Sequence, residues 1–131
     1  MNTSRLNDLV GSWIFIRSTD PNFNFRQIYH FTSDGFNYWE VDQPEGSERH
    51  LAKLEYKFSD GNLTLIYDSG TQKHFSLSEE SDGAIKFPGM NGHTWWMTRL
   101  EKPASYSRAF VGSSGRLHEL NDTEQDAAAN P

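Results

Sequence analysis

Three side chains that can carry positive charge, Arg17, His50 and Lys73, are the residues whose types and spacing most directly suggest chemistry. Each belongs to a segment whose side chains alternate with the two-residue period of a β-strand. If Trp13 faces inward, the alternation carries Arg17 inward as well, and the same counting places His50 and Lys73 inward at strand ends. An inward charge is costly unless it is paired. The three cations therefore predict a site for an anionic group such as a carboxylate.

Aromatic side chains at other inward positions would form a pocket beneath these charges. The chain contains nine Phe, five Tyr and four Trp, and this composition favours a sheet over a helix bundle. The rings and the charged rim together make one predicted ligand-binding site. Its residues are Trp13, Phe15, Arg17, Tyr29, His50, Tyr56, Tyr67 and Lys73.

These residues also have a purely structural interpretation. Long charged side chains at strand ends reach into solvent, where Arg17 would pair with Glu40 or Glu48. Phe and Trp side chains are more often core than ligand contacts, and their close packing would leave a small barrel without interior space. The sequence leaves both interpretations open.

Residue types that support catalysis are few. The chain has no cysteine, which excludes a thiolate nucleophile and a disulfide framework, and it has no Gly-x-Ser-x-Gly motif. Glu40, Asp42, His50 and His93 could all border one cavity as acids or bases. We predict no catalytic residue, and enzymatic activity remains an open alternative that the sequence does not favour.

Histidine is the remaining candidate metal ligand. The histidines have neither helical nor zinc-finger spacing, so we predict no metal site and no cofactor. They are His30, His50, His74, His93 and His118.

The elements that must position the ligand site are marked by three copies of Ser-Asp-Gly, at 33–35, 59–61 and 81–83. Asp-Gly between strand-like segments indicates a hairpin, because these turns need the positive φ that glycine adopts without steric cost. We therefore predict an all-β fold, an eight-stranded antiparallel up-and-down β-barrel. The strands are predicted at 11–18, 25–32, 36–42, 49–58, 62–68, 72–79, 84–88 and 93–100.

In an up-and-down arrangement, the three Ser-Asp-Gly turns lie at one end of the barrel. Most connections at the other end are longer, at 18–24, 43–48 and 88–92. The sequence thus predicts a closed end and an open end. An eight-stranded barrel is about the size that is either filled by side chains or holds one small ligand.

The chain divides into a predicted barrel domain at 1–102 and a C-terminal tail at 103–131. The tail contains few large apolar residues and is expected to be mobile. Within it, 107–111 could add a short strand and 117–128 could form a marginal helix.

Charge and hydropathy limit the partners. A net charge of −6 without any Lys/Arg cluster argues against nucleic-acid binding. Residues 1–10 lack the apolar run of a signal peptide, and no later segment approaches the roughly 20 apolar residues of a membrane span. We expect a cytoplasmic protein without nucleic-acid or membrane partners.

The first predicted strand opens with Gly11-Ser12-Trp13, which resembles the Gly-x-Trp signature of lipocalins and their calycin relatives. In that family an Arg near the end of the last barrel strand packs over the Trp, and Arg99 has the matching position. Residues 9–100 resemble the short bacterial lipocalin-like domains, without the disulfide of secreted lipocalins or the helical lid of fatty-acid-binding proteins. The resemblance implies that Trp13 and Arg99 meet at the closed end.

These observations predict a carrier or sensor for a small, partly apolar ligand with an anionic group. One alternative is a protein-interaction module whose barrel is filled, presenting Phe23, Met90 and the acidic tail to a protein partner. A second alternative is a small enzyme that uses the same cavity.

Overall fold

The computed structural model describes residues 9–23, 26–42, 50–90, 92–103 and 109–120, with the side chains of Asp42, His50 and Leu51 outside this description. No helix in these ranges is long and apolar enough to cross a membrane. All regular elements in the described ranges are β-strands. They are β1 Gly11–Ser18, β2 Arg26–Phe31, β3 Phe36–Asp42, β4 His50–Ser59, β5 Asn62–Ile66, β6 Gln72–Ser76, β7 Ser78–Glu79, β8 Ile85–Met90, β9 His93–Leu100, β10 Ala109–Val111 and β11 Leu117–Glu119.

The first nine strands form one antiparallel sheet with the order β6-β5-β4-β3-β2-β1-β9-β8-β7. Sequence neighbours pair along most of the sheet, and β1 pairs with β9. This meander nearly closes into a barrel, which confirms the predicted all-β, up-and-down class.

The structure has nine strands in the sheet because the segment predicted as one strand at 72–79 changes partner at Leu77. Its first half, β6, pairs with β5, and its second half, β7, pairs with β8. β6 also lies beside β8, but no backbone ladder joins these two strands. The barrel therefore keeps a seam between β6 and β8.

The Ser-Asp-Gly turns connect β2 to β3, β4 to β5 and β7 to β8, so they share one end of the barrel. The tightest of them is a two-residue turn in which both Asp60 and Gly61 have positive φ. Such a turn matches the twist of the two strands that it joins.

The closed half of the barrel is filled by rings that meet mostly edge to face. Phe31 and Tyr56 have ring centroids 4.9 Å apart, as do Phe15 and Tyr29. Phe31 is fully buried. These edge-to-face contacts belong to the hydrophobic core of the barrel.

Trp13 lies at the closed end in the arrangement that the resemblance implies. Its Nε1 donates to the Leu9 carbonyl at 2.9 Å, and the Arg99 guanidinium lies 4.3 Å from the indole centroid. Arg99 also donates to the Val10 carbonyl at 2.7 Å. Gly11 has a φ of +136°, and a Cβ there would overlap Arg99 Nη1. Glycine at this position is therefore needed for the close approach of the arginine.

The described part of the predicted tail forms a hairpin of β10 and β11 that packs on β1 and β2. Ala109 and Val111 are buried there, and Ser33 N–H donates to the Gly115 carbonyl at 2.8 Å. Residues 117–119 are a strand, so the helix predicted from 117 is wrong at its start; 121–128 lie outside the described residues.

Candidate functional site

The open half of the barrel contains a cavity of about 790 Å³. Small-molecule sites in proteins commonly measure about 300–1,000 Å³. The cavity is bounded mainly by rings and apolar side chains, with a few polar groups between them. Its lining residues are Gln27, Tyr29, Asn37, Trp39, Ala52, Leu54, Tyr67, Lys73, His74, Phe75, Gly89, Met90 and Gly92.

The strand register shows how far several of the lining residues lie from the closed end of the barrel. Asn37 and Leu54 are directly opposed on β3 and β4, next to the closed end. One step outward, Trp39 lies between Tyr29 on β2 and Ala52 on β4. The Trp39 side chain points into the barrel together with Tyr29 and Ala52, and it is still 38% exposed. Its ring therefore faces the open space of the cavity.

Two amide side chains in this cavity are buried and have polar atoms without hydrogen-bond partners among the described residues. Asn37 is 0% exposed and Gln27 is 5% exposed. Asn37 Nδ2, Asn37 Oδ1 and Gln27 Nε2 have no partner among the described residues, whereas Gln27 Oε1 accepts a hydrogen bond from Trp39 Nε1 at 3.0 Å. An unsatisfied buried polar group costs about 1–3 kcal/mol, so these three atoms are an unusual feature of the cavity lining.

Tyr29 supplies a neutral hydroxyl to the same cavity. Its OH donates to Met90 Sδ at 3.0 Å. Burial raises the pKa of this phenol, and Tyr67 raises it further. The hydroxyl therefore stays protonated at neutral pH and can hydrogen-bond a ligand without contributing charge.

Replacing Tyr29 with phenylalanine should reduce the loss of stability at alkaline pH. A raised pKa means that the folded protein holds the phenolic proton more tightly than the unfolded chain. That contribution is complete below the unfolded tyrosine pKa of about 10 and is lost as pH rises beyond it. Urea denaturation of both proteins at about pH 8 and about pH 11 measures the difference. If the free energy of unfolding fell equally in the two proteins between these pH values, burial of the Tyr29 phenol would be contradicted.

Three of the predicted site residues line the cavity: Tyr29, Tyr67 and Lys73. Lys73 lies at the rim, where its Nζ is 5.3 Å from the Tyr67 ring centroid. The side chain of His50 is outside the described part of the structure.

Trp13, Phe15 and Tyr56 are inward as predicted, but they belong to the packed core and are not among the residues that line the cavity. Trp13 contacts Arg99, and the Tyr56 hydroxyl donates to the Thr32 carbonyl at 2.7 Å. Their contact with a ligand remains a prediction.

The prediction that Arg17 faces inward is wrong. β1 and β9 pair regularly as far as Phe15, and the register then shifts so that Arg17 lies opposite Trp96. The extra residue, Ile16, is 44% exposed, which is consistent with a β-bulge. The bulge reverses the alternation and places Arg17 on the outer face, with its guanidinium 4.9 Å from the Trp96 ring centroid.

The ionic partner of Arg17 also differs from the sequence-based alternatives. Arg17 Nη1 lies 3.5 Å from Asp82 Oδ2, whereas Glu40 bonds elsewhere and Glu48 lies outside the described residues. The pKa of Asp82 is lowered, mainly by the hydrogen bond from Ala84 N–H and to a lesser degree by Arg17. This exposed pair lies on the outer surface, and neither residue lines the cavity.

A buried polar network on the outer face of β1, β2 and β3 was not predicted. Ser12 Oγ is 2.7 Å from His30 Nδ1, and His30 Nε2 is 2.5 Å from Glu40 Oε2. Val111 N–H donates to Ser12 Oγ at 2.9 Å. These are the residue types of a hydrolytic triad, but Ser12 and His30 are fully buried. Because Ser12 accepts from Val111 in β10, the network fastens the C-terminal hairpin to the barrel.

The four titratable residues predicted to border one cavity are not brought together among the described side chains. Glu40 faces outward, and His93 Nδ1 lies 3.4 Å from Thr19 Oγ1 at the open end. The side chains of Asp42 and His50 lie outside the described residues. No group of three or more His, Asp or Glu side chains in the described ranges could hold a metal ion.

Phe23 and Met90, predicted to be exposed to a protein partner, are instead half-buried. The Phe23 ring lies 5.2 Å from the Trp95 ring, and Met90 lines the cavity. The acidic tail beyond residue 120 is outside the described part of the chain.

Comparison of the chain with protein-family models, with curated proteins and with solved structures finds no match. The cavity and its unpaired amides are therefore the features from which a function has to be inferred. Lys73, Tyr29 and Tyr67 belong to the predicted site, whereas Asn37 and Gln27 are identified by the structure.

Proposed function

We propose that this protein is a lipocalin-like barrel that binds a small, partly apolar molecule in the open half of its interior. The observation that carries the proposal is the cavity of about 790 Å³, in which Asn37 Nδ2, Asn37 Oδ1 and Gln27 Nε2 are buried without partners among the described residues. An apolar pocket with a few convergent polar groups is the usual form of a small-molecule site.

The distribution of side chains inside the barrel supports this proposal over a filled interaction module. Rings pack the closed half, where Phe31 is fully buried. The open half is not packed in the same way, and Trp39 keeps more than a third of its surface exposed there. A barrel that only presented its outer surface would gain stability by filling this space.

Kinship with the calycins is supported by the closed end. Gly11, Trp13 and Arg99 form one interlocked group, in which the arginine lies over the indole and approaches the glycine backbone. A cation over an indole face is favourable. This is the arrangement that the Gly-x-Trp resemblance implies.

A ligand with a negative charge would place that charge at the rim. Lys73 is the lysine among the lining residues, and its Nζ lies against the Tyr67 ring. Since Arg17 faces outward, binding of the anionic group predicted for the ligand would depend on Lys73 and on His50.

The proposal is tested by filling the cavity. N-phenyl-1-naphthylamine is a neutral dye whose fluorescence rises in apolar surroundings, and we expect it to bind the wild-type protein saturably at one site. Ala52 lines the cavity on β4, directly opposite Trp39 on β3. A tryptophan at position 52 would occupy the space of the dye, so Ala52→Trp should weaken binding by about tenfold or more, equivalent to about 1.4 kcal/mol.

Lys57→Trp is the matched control, because Lys57 is exposed on the outer face of the same strand. It should bind the dye as the wild type does. Equal binding by Ala52→Trp and Lys57→Trp, with both variants folded by circular dichroism, would place the dye elsewhere and refute the proposal.

A further inference from the structure

We infer that the cavity selects a flat molecule whose inner end is uncharged and carries an adjacent hydrogen-bond acceptor and donor, such as a carboxamide or a lactam, and that Asn37 binds this end. The inference rests on the proposed function and adds to it the chemical class and the orientation of the ligand.

Asn37 determines which hydrogen-bonding groups the inner end of the ligand must carry. An asparagine side chain has two N–H donors and one carbonyl acceptor. Both Asn37 Nδ2 and Asn37 Oδ1 are buried without partners in the described structure, and either orientation of the amide presents one donor beside one acceptor. A carboxamide or lactam edge satisfies both atoms at once through two parallel hydrogen bonds. A hydrocarbon satisfies neither.

A carboxylate does not fit this end of the cavity. It carries acceptors only, so it would leave Asn37 Oδ1 facing another oxygen. Lys73, the lysine of the lining, lies beside the β5–β6 turn at the open end of the barrel. Asn37 follows the β2–β3 turn at the closed end, so the lysine is at the other end of the cavity. A charge buried beside neutral amides and rings, without a cation, is costly.

The middle of the cavity sets the shape of the ligand. The side chains of Tyr29 and Trp39 share one level between Asn37 and Gln27, and their strands pair directly there. Farther out, Gln27 presents an unpaired N–H₂ group, because its carbonyl already accepts from Trp39. A flat ring system along these aromatic walls, with a second acceptor toward the mouth, satisfies every unpaired atom of the lining.

Competition against N-phenyl-1-naphthylamine tests the inference with three probes of nearly equal size: 2-naphthamide, 2-naphthoate and 2-methylnaphthalene. We expect 2-naphthamide to bind at least about tenfold more tightly than 2-methylnaphthalene, because the hydrocarbon leaves buried amides unpaired. The carboxylate should bind more weakly than the amide.

Asn37→Leu keeps the approximate size of the side chain and removes both polar atoms. We expect this variant to lose the preference for 2-naphthamide, by about tenfold, while its affinities for the dye and for 2-methylnaphthalene stay within about twofold of wild type. Asn62→Leu is the matched control, because Asn62 is exposed on β5 and its side chain pairs with Ser76. It should keep the preference.

The outcomes separate the two proposals. Failure of the dye to bind would remove the proposed function. Dye binding with equal affinities for amide and hydrocarbon would overturn only the inference, and Asn37 would then hold a structural water only. A preference for 2-naphthoate that is lost in Lys73→Met and kept in Asn37→Leu would also overturn it, because the anionic end would be the recognised one.

Discussion

Replacing Trp13 with alanine is expected to lower the free energy of unfolding by about 3–5 kcal/mol, the cost of removing a buried indole. Trp13 is 4% exposed and belongs to the core cluster at the closed end. The substitution also removes the hydrogen bond to the Leu9 carbonyl and the surface on which Arg99 lies. Urea denaturation followed by circular dichroism measures the loss.

Trp96→Ala is the control for this prediction, because Trp96 is on the outer face of β9 and only partly buried. Its removal deletes one hydrogen bond to Glu80 and the contact with Arg17. The loss should be clearly smaller than for Trp13→Ala. A loss under about 1 kcal/mol for Trp13→Ala would contradict both the packed closed end and the calycin interpretation.

Replacing His30 with leucine is expected to lower the free energy of unfolding by about 2–5 kcal/mol, because the substitution breaks a buried polar network at its centre. Glu40 loses the donor at 2.5 Å and Ser12 loses its 2.7 Å contact, while leucine keeps the site filled. The amide of Val111 donates to Ser12, so its protection from hydrogen exchange should also fall.

The double variant His30→Leu/Glu40→Leu distinguishes a network from simple packing. Replacing both partners of a buried hydrogen bond by apolar groups is often nearly neutral. The double variant should therefore be more stable than His30→Leu alone, and the two effects should not add. Additive losses, or an unchanged exchange rate for Val111, would show that the network does not hold the hairpin.

The turns and the up-and-down order could be predicted because the sequence marks them locally. Three Ser-Asp-Gly triplets stand between alternating segments, and the structure places all three turns at one end. The strand count could not, because the change of partner at Leu77 has no local signal. It results from β6 pairing with β5 while β7 pairs with β8, and the alternation within 72–79 does not indicate this.

Arg17 was misplaced because alternation was extended through a bulge. The inward set of β1 is correct through Phe15, and the register shift at Ile16 moves the next residues to the opposite face. A bulge results from pairing between two strands. Nothing in the sequence of β1 alone could indicate it.

Gln27 was missed as a cavity residue because β2 has no single buried face. From Gln27 to Phe31 every residue of β2 is buried, since the barrel interior covers one side and the C-terminal hairpin the other. Alternation therefore could not distinguish inward from outward side chains there. Recognising Gln27 required the hairpin to be placed on the barrel.

Native mass spectrometry of the protein purified from its own host, in parallel with Ala52→Trp, tests the cavity most directly. We expect the wild-type protein to carry a small molecule reproducibly and to release it on denaturation. The Ala52→Trp variant should lack this molecule. Its composition should include a carboxamide, lactam or similar neutral donor–acceptor group. A wild-type protein that is always free of ligand, or a molecule retained equally by Ala52→Trp, would contradict the claim that this cavity is a binding site.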